Sequence, residues 1–246
     1  MKVEVLRVLT DNYVFVLRGP DARVAIVDPG DSAPVLELLE RTSSVPDAIL
    51  VTHHHADHSG GIEGLVRRYP GVAVLGGAED RGRFRGQTRF LADGDEVEVC
   101  GMRAKVLHIP GHTAGHVAWF FPEGTGGDAF VGDTLFGLTM GNLFEGTPAG
   151  MLGSLHKLRS LPSRTRLWCG HEYTRLYMHE AAALDPGNER LAERILRLES
   201  SDGPTVPLTL EEEMATNPYL RWDAPAIRDR LGTADDLETF TRLCES

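Results

Sequence analysis

The chain has 246 residues, 41% hydrophobic and 25% charged, which excludes a disordered or fibrous protein and leaves room for one large α/β domain or a catalytic domain with a small appendage. Its formal net charge of −11 argues against a nucleic-acid partner, because phosphate-binding surfaces present surplus Lys and Arg. No run of about 18 apolar residues occurs, so no membrane span is expected.

Strands are expected at residues 3–8, 13–17 and 24–27, an antiparallel meander broken by turn formers such as Gly19-Pro20-Asp21. Asp31 or Ser32 can cap a helix running to about Arg41, with Val35, Leu38 and Leu39 on one face. An apolar strand at 48–52 ends directly in His53-His54-His55-Ala56-Asp57-His58, after which Ile62, Leu65 and Val66 mark a helix ending near Pro70. Strands follow at 72–75, 96–100, 103–108, 117–121 and 129–131, then a helix near 151–160 and a strand at 166–169. From Tyr173 onward the pattern is helical, with apolar segments at 181–184 and 191–198 and a Pro-containing link at 202–207. The expected division is a catalytic domain over 1–170 and a helical, substrate-binding domain over 171–246. Cys100, Cys169 and Cys244 lack the short spacing of metal fingers or redox motifs and read as reduced. The N-terminus alternates like a strand rather than resembling a signal peptide, so a cytoplasmic enzyme is expected.

The strongest chemical signal is the stretch His53–His58, where four groups besides His54 are competent to bind metal. At an extended strand end His53 and His55 point the same way, so one ion can take both imidazoles, while the following turn re-aims Asp57 and His58. Mixed imidazole and carboxylate donors suit zinc, iron or manganese rather than calcium. Three further candidates sit beside glycine after strands: His112 in Pro110-Gly111-His112, Asp133 in Gly132-Asp133-Thr134, and His171 in Gly170-His171-Glu172. Glycine there lets the backbone turn tightly towards a shared crevice.

In order and context these residues match the metallo-β-lactamase superfamily pattern HxHxDH, then His, Asp and His. Within that superfamily the chain resembles the glyoxalase II, or hydroxyacylglutathione hydrolase, family. Leu9-Thr10-Asp11-Asn12-Tyr13, Val27-Asp28-Pro29-Gly30, Gly170-His171-Glu172-Tyr173-Thr174 and Asn217-Pro218-Tyr219-Leu220-Arg221 carry the likeness over nearly the whole chain. The resemblance implies an α/β fold, the αββα metallo-β-lactamase sandwich, with a small helical C-terminal domain. It implies two divalent metal ions, zinc first, with iron or manganese as alternatives. His53, His55 and His112 would hold one, Asp57, His58 and His171 the other, and Asp133 would bridge them. A water shared by two such ions is deprotonated near neutral pH and becomes the nucleophile, and Asp57 is the candidate to orient it.

The implied substrate is a small-molecule thioester, S-D-lactoylglutathione, cleaved to D-lactate and glutathione. A thiol has a pKa of roughly 8.5 and leaves as thiolate without a strong general acid. Substrate contacts are expected at Tyr173, Asn142 and Phe144. The family commonly carries a pattern like GKFYEG where this chain reads Gly141-Asn142-Leu143-Phe144-Glu145-Gly146, and it commonly ends with an Arg and a Lys where this chain ends Arg242-Leu243-Cys244-Glu245-Ser246. The cations that meet glutathione carboxylates are therefore replaced, and Arg81, Arg83, Arg85 and Arg89 form a local cluster that either substitutes for them or is a solvated loop. His116 is expected to orient a ligand by hydrogen bonding, His54, His108, His156 and His179 to be structural or superficial, and Asp28 to be a buried structural carboxylate near the site. The alternatives are a thioesterase for another thiol carrier, a persulfide dioxygenase-like mononuclear iron enzyme, a nuclease or lactamase of the same fold, and a binding module without chemistry. A monomer or homodimer with neither nucleic-acid nor membrane partner is expected.

Overall fold

A computed structural model describes residues 1–20 and 23–245, so Asp21 of the expected turn and Ser246 lie outside the described residues. The meander forms as β1 (Lys2–Val8), β2 (Asn12–Arg18) and β3 (Val24–Val27). After α1 (Ala33–Arg41) comes β4 (Pro46–Leu50), then α2 (Ala56–Ser59) and α3 (Ile62–Arg68), β5 (Ala73–Gly77) and β6 (Arg89–Leu91). These six strands make one sheet in sequence order, antiparallel through β3 and parallel from β3 to β6. The N-terminus of α1 is served by Asp31, whose Oδ1 accepts from Ala33 N at 2.9 Å, while Ser32 makes no side-chain cap.

The second half adds β7 (Glu96–Val99), β8 (Met102–His108), β9 (Val117–Glu123) and β10 (Gly126–Gly132), a small hairpin of β11 (Leu135–Phe136) and β12 (Thr139–Met140), α4 (Pro148–Arg159) and β13 (Arg164–Cys169). Then follow α5 (Thr174–Leu184), α6 (Glu189–Glu199), β14 (Leu208–Thr209), α7 (Leu210–Thr216), α8 (Pro225–Leu231) and α9 (Asp236–Cys244). The second sheet runs β14-β13-β10-β9-β8-β7, antiparallel except where β10 and β13 pair in parallel.

Strand periodicity explains the layers. On β2 to β4 one set of alternating side chains, Tyr13, Phe15, Leu17, Ala25, Val27, Ala48 and Leu50, enters the core shared with the second sheet. The intervening set, Val14, Val16, Val24, Ile26 and Ile49, meets Val35, Leu38, Leu39, Ile62 and Leu65 of α1 and α3. A sheet buried on both faces reads as continuous apolar sequence, as these strands do. The result is the αββα sandwich.

Two local differences from the sequence pattern have physical causes. The strand expected at 48–52 ends at Leu50, because Thr52 gives its N–H and hydroxyl to the Asp28 carboxylate at 2.7 and 2.6 Å instead of to a neighbouring strand. Strands β6, β11, β12 and β14 have only two or three residues each, too few to leave a period in the sequence.

Candidate metal centre and its cavity

The seven candidate donors come from one edge of the sandwich. His53 to His58 follow β4, His112 follows β8, Asp133 follows β10 and His171 follows β13. A backbone bond from Val117 N to Thr52 O, 2.9 Å, joins the two sheets at this edge, and Tyr13 N to Gly170 O, 2.8 Å, brings in the start of β2. Gly132 turns the chain at φ +47, and a Cβ there would lie 2.4 Å from Thr52 Oγ1. At Gly170 a Cβ would lie 2.3 Å from Asp133 Oδ1.

The donors gather into compact groups. His53, His55 and His112 present ligand atoms within 4.8 Å of one another, as do Asp57, His58 and His171, and Asp133 groups likewise with His53 and His58, one residue from each set. His55 Nδ1 stands 3.0 Å from His53 Nε2 and 3.1 Å from His112 Nε2. Asp133 Oδ2 is 3.5 Å from His112 Nε2 and 3.3 Å from His171 Nε2. Asp133 Oδ1 is buried with no hydrogen-bond partner, and His58 Nε2 stands 3.3 Å from it. Convergent imidazole nitrogens facing an orphaned buried carboxylate oxygen are costly by themselves and fit divalent cations.

The far nitrogen of most rings is fixed from behind. His58 Nδ1 meets Asp28 at 3.0 Å, His171 Nδ1 meets Asp11 at 2.7 Å, His112 Nδ1 meets the Asn142 carbonyl at 2.9 Å, and His53 Nδ1 meets Thr52 Oγ1 at 3.1 Å. Such partners set the ring orientation and leave the other nitrogen aimed inward. His116 stacks on His53 with centroids 4.7 Å apart, and its Nε2 accepts from Asp133 N at 3.1 Å. Asn12 Nδ2 donates to Asp57 Oδ2 at 2.9 Å. Asp11 and Asn12 entered the sequence argument only as part of a similar segment; their contacts, 160 and 45 residues away, leave no signal in a single sequence.

Charge divides the two sets. Burial, then the neighbouring His58, holds His53 well below the ordinary imidazole range, and burial likewise lowers His55 and His112. For His58 burial opposes the charged form, but the carboxylates of Asp133 and Asp28 outweigh it and raise the pKa well above the ordinary value. For His171 the same opposition is overcome by hydrogen bonds to Asp133 and Asp57, and its pKa is pushed up to about 10. The hydrogen bond from His171 is the main cause that holds Asp57 far below the carboxylate range.

Above the donors opens a cavity of about 430 Å³ lined by His55, Asp57, His112, Asp133 and His171 at the base. The expected contacts Tyr173, Asn142 and Phe144 all line it, and so do Phe136, Met140 and Tyr177, which the sequence did not single out. Tyr173 stacks on His171 at 4.8 Å, and Phe144, 65% exposed, stands edge-on to His112 at 5.1 Å. None of the arginines in the 81–89 cluster lines the cavity. Arg83 pairs with Glu145, Arg85 with Glu63 at 2.9 Å, and Arg81 lies over Phe90. Of the remaining histidines, His54 stands 3.4 Å from buried Asp80, His108 meets the Ala114 carbonyl at 2.8 Å, His156 packs on Trp222, and His179 is exposed.

A sandwich with this ordered His and Asp edge defines a metallo-β-lactamase-fold enzyme, and the metallo-β-lactamase superfamily family model matches residues 8–171. Residues 172–246 match the model described as hydroxyacylglutathione hydrolase C-terminus. The chain is 46% identical over 250 residues to a hydroxyacylglutathione hydrolase of Microcystis aeruginosa, and 48% identical over 247 residues to one of a Synechococcus strain, in both cases over 99% of this chain and 97% of the relative. The crystal structure of TTHA1623 in a di-iron-bound form superposes with a TM-score of 0.64 at 28% identity, over 89% of this chain and all of that one. The chain belongs to the hydroxyacylglutathione hydrolase family.

Proposed function

We propose that the protein hydrolyses S-D-lactoylglutathione to D-lactate and glutathione at a centre of two divalent ions. One would be held by His53, His55 and His112, the other by Asp57, His58 and His171, with Asp133 between them. The observation that carries this reading is the convergence of those seven donors, with Asp133 Oδ1 unpartnered, at the base of an open cavity. The relatives' name supports the choice of substrate. Ions bound there supply Lewis acidity and an activated water at neutral pH.

The chain's own residues divide the remaining work. Asp57 stays ionised, and Asn12 fixes its Oδ2, so it can accept a hydrogen bond from the attacking water and orient it towards the thioester carbonyl carbon. Burial pushes the Tyr173 phenol up to about 12, so it keeps its proton and serves as a hydrogen-bond donor to substrate. Phe136, Met140 and Phe144 give the cavity an apolar lining against which the non-reacting part of the substrate can pack. The departing thiolate needs no acid. Zinc as the resident metal, a cytoplasmic location and a role in methylglyoxal detoxification belong to the same proposal. So does the division at residue 170 into a catalytic part and a helical part that helps to bind substrate.

A second reading, hydrolysis of a thioester on another thiol carrier, is favoured by one observation. Among the described residues neither Lys nor Arg lines the cavity, so glutathione carboxylates gain from these residues none of the charge-assisted hydrogen bonds worth about 1.5–3 kcal/mol each. The experiment is steady-state hydrolysis of S-D-lactoylglutathione and a panel of other thioesters by metal-loaded protein, with His55→Ala as blank and oxygen uptake monitored. Efficient His55-dependent turnover of the glutathione ester without oxygen uptake is expected. Turnover confined to another carrier would favour the second reading, and oxygen uptake with a persulfide would favour a dioxygenase.

A further inference from the structure

We infer that Asn217, Glu213 and Arg194 form a buried clamp through which the C-terminal helices position one wall of the catalytic cavity. The stretch from Asp133 to Phe144 supplies the cavity with Phe136, Met140, Asn142 and Phe144 as well as Asp133. Yet its only regular structure is the β11–β12 hairpin, with two paired positions, Leu135 opposite Met140 and Phe136 opposite Thr139. A hairpin of that size has no stability of its own in water. Its turn residue Leu138 also sits at φ 65, a left-handed conformation disfavoured for any residue but glycine. Something outside the hairpin has to hold it.

The clamp does so at the backbone. Asn217 Nδ2 donates to the carbonyls of Phe136 and Thr139, each at 3.1 Å, and to Glu213 Oε2 at 3.1 Å. The same Glu213 oxygen accepts from Leu138 N at 3.0 Å. The other Glu213 oxygen accepts from Arg194, whose second guanidinium nitrogen donates to Thr216 Oγ1 at 2.6 Å. Asn217 Oδ1 accepts from Tyr219 N at 3.0 Å, which fixes the direction of the amide. All three clamp side chains are buried. Leu138 meanwhile beds among Ala181, Leu191 and Ile195 of α5 and α6, and a Cβ on Gly137 would lie 2.2 Å from Thr174 Oγ1.

A buried ion pair is weak evidence of net stabilisation, since desolvation offsets the attraction. What this one supplies is direction: Arg194 holds the Glu213 carboxylate so that its other oxygen accepts from Leu138 N and from Asn217, whose amide in turn addresses the Phe136 and Thr139 carbonyls of the same hairpin. That hairpin turns Phe136 to within 5.8 Å of the His171 ring and 5.1 Å of the Tyr173 ring, and Met140 into the cavity. None of the clamp residues lines the cavity, so they are positioning residues.

The kinetic test rests on the thioesterase reading above, so a second readout independent of turnover is included. In the metal-loaded Asn217→Ala protein, KM for S-D-lactoylglutathione is expected to rise about tenfold with kcat within about threefold of the parent, the pattern of lost binding rather than lost chemistry. Metal content should match the parent. In protein labelled with 13C-methyl methionine, the Met140 resonance should shift or broaden. That result stands even if the parent turns over no thioester, an outcome that would defeat the functional reading alone. Should Asn217→Ala fail to fold, Leu138→Gly, which relieves the left-handed backbone but removes the bedded side chain, is expected to move KM and the Met140 resonance the same way. A variant that melts at lower temperature with KM and the Met140 resonance both unchanged would overturn the inference.

Discussion

The imidazoles of His58 and His171 face carboxylates on both ring nitrogens, and this determines what happens to protons when metal binds. Both rings have raised pKa values, His171 at about 10, so at neutral pH the metal-free protein carries them protonated. Ligation needs the Nε2 lone pair, so on the proposed assignment metal uptake at the Asp57, His58 and His171 set would release protons. His53, His55 and His112 have lowered values and are already neutral. Calorimetric titration in buffers of different ionisation enthalpy should therefore show one tight event with little proton release and one that releases protons and strengthens as pH rises. On acidification the second set should empty first. Linkage has a further consequence for the metal-free protein. A folded pKa raised above the unfolded value of about 6.5 gives stability that is fully present below that value and is lost as pH rises through about 10. Urea midpoints of metal-free protein should fall on the alkaline side, and midpoints that rise there would contradict this account. Asp28 supports the same set: Asp28→Ala strands Thr52 N and Oγ1 and frees His58 Nδ1. A loss of about 10–100-fold in metal affinity is expected, by competition with a chelator. The inward donors were legible because residue type and local spacing announce them. Asp11 and Asn12 were not, because their work depends on contacts the chain makes only when folded.

At the scale of elements, the donor edge depends on two loops that pass too close for a side chain. The Gly170 loop is held on both flanks, its N–H to Gly132 O at 2.9 Å and its carbonyl to Tyr13 N at 2.8 Å. It cannot retreat from an added methyl group, which would fall 2.3 Å from Asp133 Oδ1 and 2.6 Å from His58 Cε1. Gly170→Ala is therefore expected to displace Asp133 and His58 while leaving the strands paired. Metal per chain should fall below that of the parent, with far-ultraviolet circular dichroism unchanged. Full metal content in that variant would mean that the edge is more compliant than its contacts indicate. The long strands and helices that end in these loops were readable from apolar periodicity. The hairpin that forms the cavity wall was not, because β11 and β12 are held by Asn217 and Glu213 from α7 and the turn after it rather than by any pattern of their own.

Across the whole molecule, sequence separates a β-rich stretch from a helical one but does not say what the helices pack against, because periodicity identifies an apolar face and not its neighbour. In the folded chain Trp222, Phe240 and Leu243 belong to the same buried cluster as Phe130 and Trp168 of the second sheet, and β14 pairs directly with β13. Chain that follows His171 thus completes the core beneath the strand that delivers His171. Phe240 tests this coupling away from the donors, since it is fully buried and packs 6.0 Å from Trp222 and 6.4 Å from Tyr219. Phe240→Ala should cost about 3–5 kcal/mol, the range for truncating a buried aromatic. Because the cluster is continuous, that loss is expected to appear in a single urea transition, with tryptophan fluorescence and far-ultraviolet circular dichroism moving together. Two separated transitions, with metal retained after the first, would show instead that the helices melt as a unit from an intact sandwich, and would locate the stability of the metal edge entirely within the two sheets.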